Sequence, residues 1–274
     1  MSEVFLIPAA LLIGASAGFL GGLLGIGGGV IIVPALIIAL ELDGRFGVTD
    51  TTLVAVATSL CCVVGVSVSA AHAQLRRGNL DPALLKHLGP FLVLGAVLAA
   101  PVGEWLPPQA FRLLIGAFLC FVSLVMLTRW APDPSRQLPK LPASGVLGVA
   151  GGLLSGLAGI GGGNVIVPTL AYFNVPMHRA TANASALGIP IALSGALGYL
   201  VTGWTNEGLK LPTGSVGYIY LPAVVAVVLA AVPCAPLGVR AAQRLDAGPL
   251  RRLFGALLVV VSLRMIYSAL SLAS

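Results

Sequence analysis

"GIGGGVIIVP" from Gly25 to Pro34 returns, barely changed, as "GIGGGNVIVP" from Gly159 to Pro168. Both knots interrupt apolar sequence. Of the residues, 58% are hydrophobic and 9% charged, with a mean hydropathy of +1.02, well outside the range of a soluble globular domain. Apolar segments long enough to cross a membrane lie at 5–24, 48–73, 83–103, 110–130, 143–158, 180–203, 216–240 and 250–272. After each knot comes a shorter apolar piece, 30–40 and 165–173, about half a membrane long. The first segment lacks a basic leader, and Gly14 and Gly18 are spaced as a packing face, so it reads as a retained span.

The knots belong to a longer duplication. Shifting by 134 residues lays 14–36 on 148–170 with 14 identities in 23 positions, seven of them glycine and one proline. A second match closes each half, "FRLLIGAFLCFVSLVM" from Phe111 against "LRRLFGALLVVVSLRM" from Leu250. The expected organisation is a first membrane repeat over 1–130, a proline-rich cytoplasmic linker over 131–142 and a second repeat over 143–274.

Lys and Arg in the joints orient the copies, because positive charge collects on the cytoplasmic side. If the chain crosses only at the eight long segments, seven basic residues face each side. If each knot is the elbow of a hairpin, Arg76, Arg77, Lys86, Arg129, Arg136, Lys140, Arg179, Arg240, Arg244, Arg251 and Arg252 share one side, against Arg45, Arg112 and Lys210 in joints on the other. Eleven against three favours elbows. Each half is then a hairpin plus three crossings, so the second copy is inverted and both termini lie outside the cytoplasm. Trp105, Trp130 and Trp204 fall at span ends, as an interfacial belt requires.

The expected fold is therefore all-α and integral to the membrane: two inverted repeats, each a glycine-broken hairpin of a long helix and a half-helix followed by three transmembrane helices. That is the architecture of many secondary transporters, whose site lies between the repeats near the midplane. Consecutive glycines let the backbone unwind, and the short helix that follows presents unpaired N–H groups and a positive dipole end, a site for an anion. The GxxxG runs Gly14, Gly18, Gly22 and Gly148, Gly152, Gly156 read instead as close helix packing.

Twin "GGLLGIGGGVIIVPAL" and "SGLAGIGGGNVIVPTL" segments, each followed by a small polar cluster, "AVATSL" at 55–60 and "ATANASAL" at 180–187, resemble the TauE/SafE family of membrane permeases over nearly the entire chain. The resemblance implies a transporter of small sulfur-containing or organic anions such as sulfite, sulfoacetate or other sulfonates. Carried onto this sequence, it falls on Gly25, Gly27, Gly28, Gly29 and Pro34, on Gly159, Gly161, Gly162, Gly163 and Pro168, and on Thr58, Ser59, Asn183 and Ser185. Asn164 replaces Val30 directly after the second knot and offers a neutral amide to substrate or to a neighbouring helix. The two prolines read as shaping the short helices.

All nine carboxylates lie in joints or at span ends, which disfavours a cation pump built on buried acids. Arg264, inside the last span, and His72, near the cytoplasmic end of its span, are candidates for the pathway or for relaying a coupling proton, each weighed against an interfacial role. Cys61, Cys62, Cys120 and Cys234 have no metal-ligand spacing, and neither knot carries the Lys-Ser or Lys-Thr of a phosphate loop. No cofactor, metal or nucleic-acid partner is expected, and no nucleophile with its base points to an enzyme. The expected partners are a small anion and the lipid of the cell (inner) membrane. An anion channel with a fixed pore would use the same donors.

Overall fold

The computed structural model describes residues 3–24, 27–76, 78–128, 142–206, 211–242 and 247–271. Among the described residues ten helices follow one another: α1 (Glu3–Leu24), α2 (Gly29–Asp43), α3 (Val48–Leu75), α4 (Pro82–Trp105), α5 (Pro108–Leu127), α6 (Ala143–Leu157), α7 (Gly163–Tyr172), α8 (Met177–Thr205), α9 (Leu221–Ala241) and α10 (Ala247–Ser271). Six of them, α1, α3, α4, α5, α8 and α9, are long and apolar enough to cross a membrane. The protein is a multi-pass membrane protein. At 15 residues, α6 rises only about 22 Å at 1.5 Å per residue.

Local chemistry sets several boundaries. Asp81 caps α4, its Oδ1 accepting from the N–H groups of Ala83 (3.0 Å) and Leu84 (3.3 Å), and Pro82 fills the first turn, where no N–H is needed. The sequence places the start of the ninth helix near 216, but α9 begins at Leu221. Two short antiparallel strands, β1 (Ser215–Val216) and β2 (Ile219–Tyr220), precede it. Gly214 and Gly217, at φ +94° and +53°, let the chain reverse there. Tyr218 and Tyr220 of this hairpin are fully buried.

A second difference concerns Arg112, which reads from sequence as a joint residue. It lies inside α5 and is 1% exposed. A buried guanidinium needs partners for its charge and its donors, and those of Arg112 include Glu41 of α2 (2.8 Å), Thr52 Oγ1 of α3 (3.0 Å) and Ser268 Oγ of α10 (2.7 Å).

The helices pack in pairs that run between the halves. α1 lies against α9, α4 against α6, α3 against both α8 and α9, α4 against α8, and α5 against α10. Exchanging α1–α5 with α6–α10 leaves this set of pairs unchanged. Their directions follow from which residues meet. A Cβ on Gly14, Gly18 or Gly22 would collide with the backbone of Val227, Ala231 or Ala235, so α1 and α9 run parallel. Gly148, Gly152 and Gly156 meet Phe91, Leu92 and Ala99 in the same rising order, so α6 and α4 are parallel too. By contrast, Gly195 meets Leu60 and Gly188 meets Ser67, while Arg112 meets Ser268 and Ser123 bonds the Gly255 carbonyl. Hence α3 and α8 are antiparallel, as are α5 and α10. The GxxxG glycines thus let backbones approach where apolar burial gives no net drive for association in lipid.

Candidate functional site

The two knots meet at the centre of the bundle. α1 ends at Leu24 and α2 begins at Gly29; between them Gly27 and Gly28 have φ +75° and +76°. In the second half Gly159, Gly161 and Gly162 take φ +69°, +60° and +90° between α6 and α7. Any other L-residue would be strained in that left-handed region. Gly25, at the start of the first knot, lies outside the described residues. The described knot residues are buried, and they touch: a Cβ on Gly29 would lie 2.5 Å from Ile160 Cα and 2.6 Å from the Gly159 carbonyl oxygen. Val63 of α3 packs beside both Gly29 and Gly161.

Each knot ends in a helix N-terminus. Gly28 caps α2 and Gly162 caps α7, neither with a side-chain hydrogen bond. The Gly28 carbonyl accepts from the N–H groups of Ile31 (3.0 Å) and Ile32 (3.2 Å), and the Gly162 carbonyl from Val165 (3.0 Å) and Ile166 (2.7 Å). The amides of Gly28, Gly29 and Val30, and of Gly162, Gly163 and Asn164, precede the first residue that can donate within its helix. Each set of such amides stands at a dipole end equivalent to roughly half a positive charge, and the knots that carry them touch through Gly29, Gly159 and Ile160. Pro34 and Pro168 sit inside α2 and α7, where they leave a further carbonyl without its helical donor.

Two side chains make the region chemically unfinished. Asn164 is 3% exposed, and both its Nδ2 and Oδ1 lack a hydrogen-bond partner. Ser67 of α3 is 1% exposed with its Oγ also unpartnered. This hydroxyl lies between the elbows: a Cβ built on Gly27 would be 3.7 Å from it, and one on Gly188 would be 2.8 Å from it and 2.9 Å from the Gly161 carbonyl oxygen. Buried polar groups ordinarily find partners, and each exception calls for an explanation. Sequence reading passes over Ser67, because "VSVSAAH" at 66–72 shows only that two hydroxyls interrupt an apolar run.

The other expected donors are placed differently. Ser59 donates to the Gly159 carbonyl (2.8 Å) and so ties α3 to the second knot. Thr58 accepts from the Tyr220 N–H (3.0 Å) and anchors the β hairpin. Asn183 accepts from the Asp81 N–H (2.9 Å) and donates to the Arg179 carbonyl (2.8 Å), joining α8 to the start of α4. Ser185 donates to Thr181 within its own helix (2.9 Å). His72 is exposed on α3, in a cleft with Arg76 and Arg240. Arg264 is exposed on α10 beside Val260, Leu263 and Tyr267. Among the described residues no group of His, Cys, Asp and Glu could hold a metal ion.

At the opposite end of α2, Asp43 accepts from Arg45 Nε (2.6 Å), and Arg45 Nη2 reaches the Tyr220 hydroxyl (3.2 Å). The bond to Asp43 raises the Arg45 pKa above its ordinary value. In the neighbouring hairpin, burial pushes the Tyr218 phenol up to about 12, and it remains a neutral donor to Glu104 (3.1 Å).

Comparison with known proteins adds a family. The family described as sulfite exporter TauE/SafE matches residues 10–265. A probable membrane transporter protein of Haemophilus influenzae is 31% identical over 262 residues, covering 94% of this chain and 97% of its own. One of Methanocaldococcus jannaschii is 30% identical, covering 96% of each. One of Bacillus subtilis is 27% identical over 74% of this chain and 81% of its own. No solved structure matches the chain.

Proposed function

The chain belongs to the sulfite exporter TauE/SafE family, and from that premise we propose that it exports small sulfur-containing or organic anions, such as sulfite, sulfoacetate or other sulfonates, by alternating access. The anion sits between the glycine elbows of two inverted repeats. It is bound by the free amides of Gly28, Gly29 and Val30 and of Gly162, Gly163 and Asn164, with the Asn164 amide and the Ser67 hydroxyl as side-chain donors. Ser59 positions the second knot from behind.

The observation that carries this reading is the coincidence of unpaired groups. Two helix N-termini follow knots that touch, the unpartnered Asn164 amide stands in the first turn of α7, and the unpartnered Ser67 hydroxyl lies beside Gly27 and Gly188, with no charged side chain among these residues. In a low-dielectric interior such donors attract an anion strongly. Neutral donors also let the anion leave, as transport demands.

The inverted arrangement is supported by helix direction. α3 opposes its counterpart α8, and α5 opposes α10, while α1 parallels α9 and α6 parallels α4. With directions that alternate along the chain, the basic joints would fall at one end, which the charge rule assigns to the cytoplasm.

Flux in proteoliposomes tests the function, with sulfite, sulfoacetate, thiosulfate and simple carboxylates offered with and without a proton gradient. Saturable flux of a sulfur anion is expected. Flux that rises linearly with concentration, without a conformationally limited ceiling, identifies a fixed pore instead. The orientation has its own test: single cysteines at Arg45 and Arg240, in a background free of the four native cysteines, should react with membrane-impermeant reagents from opposite sides.

A further inference from the structure

A second feature lies away from the elbows, on the outer surface of α3. Gly65, Val68, Ser69, His72, Ala73 and Arg76 of α3 face Val232, Pro236 and Arg240 of α9 across a cleft of about 750 Å³. Val68 and Leu75, 49% and 59% exposed, show that this flank of α3 is turned outward, whereas Ser67 on the other flank is buried toward α8. In a membrane protein an outward apolar flank meets lipid.

The cleft is divided along its length. Its deeper walls, Gly65, Val68, Val232 and Pro236, are apolar. Its rim carries His72, Arg76 and Arg240, and among the described residues none of these three side chains has a hydrogen-bond or ion-pair partner. Ser69 does not compete for a ligand, because its Oγ donates to the Val232 carbonyl (2.9 Å) and closes the cleft floor between the helices. From Gly65 to Arg76 the α3 wall extends about 16 Å at 1.5 Å per residue, the scale of a headgroup with the first part of its acyl chains.

We propose that this cleft seats an anionic phospholipid, its phosphodiester held by Arg76 and Arg240 with His72 beside it, and its acyl chains lying on Val68, Val232 and Pro236. Two arginines match the oxygens of a phosphate group, and basic pockets between transmembrane helices at the cytoplasmic face are suited to such headgroups. A small free anion would satisfy the rim and leave the apolar half without an occupant. Because α3 also carries Ser67 and α9 belongs to the other half, the lipid bridges the two repeats at the end where the basic joints gather. The proposal does not depend on what the elbows carry.

Native mass spectrometry of the full chain in detergent tests it, with phosphatidylglycerol, phosphatidylcholine or inorganic phosphate added. Retention of phosphatidylglycerol over phosphatidylcholine is expected. In Arg76→Gln/Arg240→Gln the apparent affinity for phosphatidylglycerol should fall roughly thirty-fold, the combined effect of two basic groups near an anionic headgroup. Arg264→Gln, exposed on α10, should leave it unchanged. Equal retention of the two lipids, or an unchanged double variant, overturns the proposal. So does displacement of the lipid by inorganic phosphate at matched concentration, which makes the cleft a small-anion site. Should the double variant not fold, Arg76→Gln alone is read on the same scale, with a fall of about five-fold expected and no fall overturning the proposal.

Discussion

Replacing Asn164 with valine restores the residue that stands at the equivalent place in the first half, Val30, which is fully buried there. The structure sets the expected sign of two effects. Asn164 buries an amide whose donor and acceptor are both unpaired, and leaving such a group unsatisfied costs about 1–3 kcal/mol. Asn164→Val removes that cost and keeps a side chain of similar bulk, so the substrate-free protein should gain about 1–3 kcal/mol of stability. Transport should move the other way. A hydrogen bond to a charged group contributes about 1.5–3 kcal/mol, so flux at limiting substrate should fall roughly ten-fold to a hundred-fold. Equilibrium unfolding in detergent reads the first effect and proteoliposome flux the second. A third readout links them: saturating sulfite should stabilise the native protein by mass action and stabilise the variant far less. If Asn164→Val lowers stability, the amide is a structural bond between helices. If it leaves flux intact, the amide does not touch the anion. Either result refutes the reasoning.

Gly28→Ala and Gly162→Ala each force an L-residue to φ above +70°, and each should lose about 1–2 kcal/mol of stability together with flux. The loss should be greater at Gly28, whose new Cβ meets the Ala17 carbonyl oxygen at 2.7 Å, than at Gly162, where it meets the movable end of Ile166 at 2.8 Å; full flux in both variants removes the elbows from the mechanism. Gly18→Leu should abolish folding, because even a Cβ collides with the Ala231 backbone, whereas Gly44→Ala, in open space at φ +72°, should yield folded protein; comparable yields on size exclusion would contradict the packing account. Glu41→Gln leaves the buried Arg112 without its counter-charge and should destabilise by up to about 3 kcal/mol in detergent unfolding, moderated because Thr52 and Ser268 still accept from the guanidinium. A neutral effect there would show that the Arg112–Glu41 pair is not held.

Helix number and order were legible in sequence because hydrophobic length is a one-dimensional quantity. A span must have about 20 apolar residues wherever its neighbours lie. The short lengths of α2 and α7 were legible for the same reason. Pairing was not, since which helix receives α1 is decided by Gly14, Gly18 and Gly22 matching a smooth backbone near Val227, Ala231 and Ala235. No local signal points to α9. The site was half legible: consecutive glycines announce unusual backbone, and Asn164 stands out as a polar residue replacing valine. Thr58, Ser59, Asn183 and Ser185 looked like donors for substrate, and only three-dimensional neighbours show that each spends a hydrogen bond within the protein. Ser67 escaped for the converse reason, because a missing partner cannot be seen in sequence. Arg112 misled as a joint residue because its partners come from α2, α3 and α10.

The duplication is also imperfect in a way that bears on motion. Two strictly identical halves would close both ends of the pathway equally well, and neither state would be preferred. Here α2 runs 15 residues and ends in Glu41, Leu42 and Asp43, while α7 runs 10 and ends in Tyr172. The longer end is fastened by Glu41 to Arg112 and by Asp43 to Arg45, which continues to Tyr220. At the end of α7, Tyr172 and Phe173 form an edge-to-face pair, ring centroids 5.1 Å apart. Ion pairs with directional hydrogen bonds have one good geometry, whereas aromatic edges tolerate sliding. Under the proposed alternating access, a rocking motion about the elbows would have to break this defined set of charged contacts at the α2 end. On that proposal, binding of the anion at the elbows would have to contribute enough to part Arg112 from Glu41 before the α2 end could open.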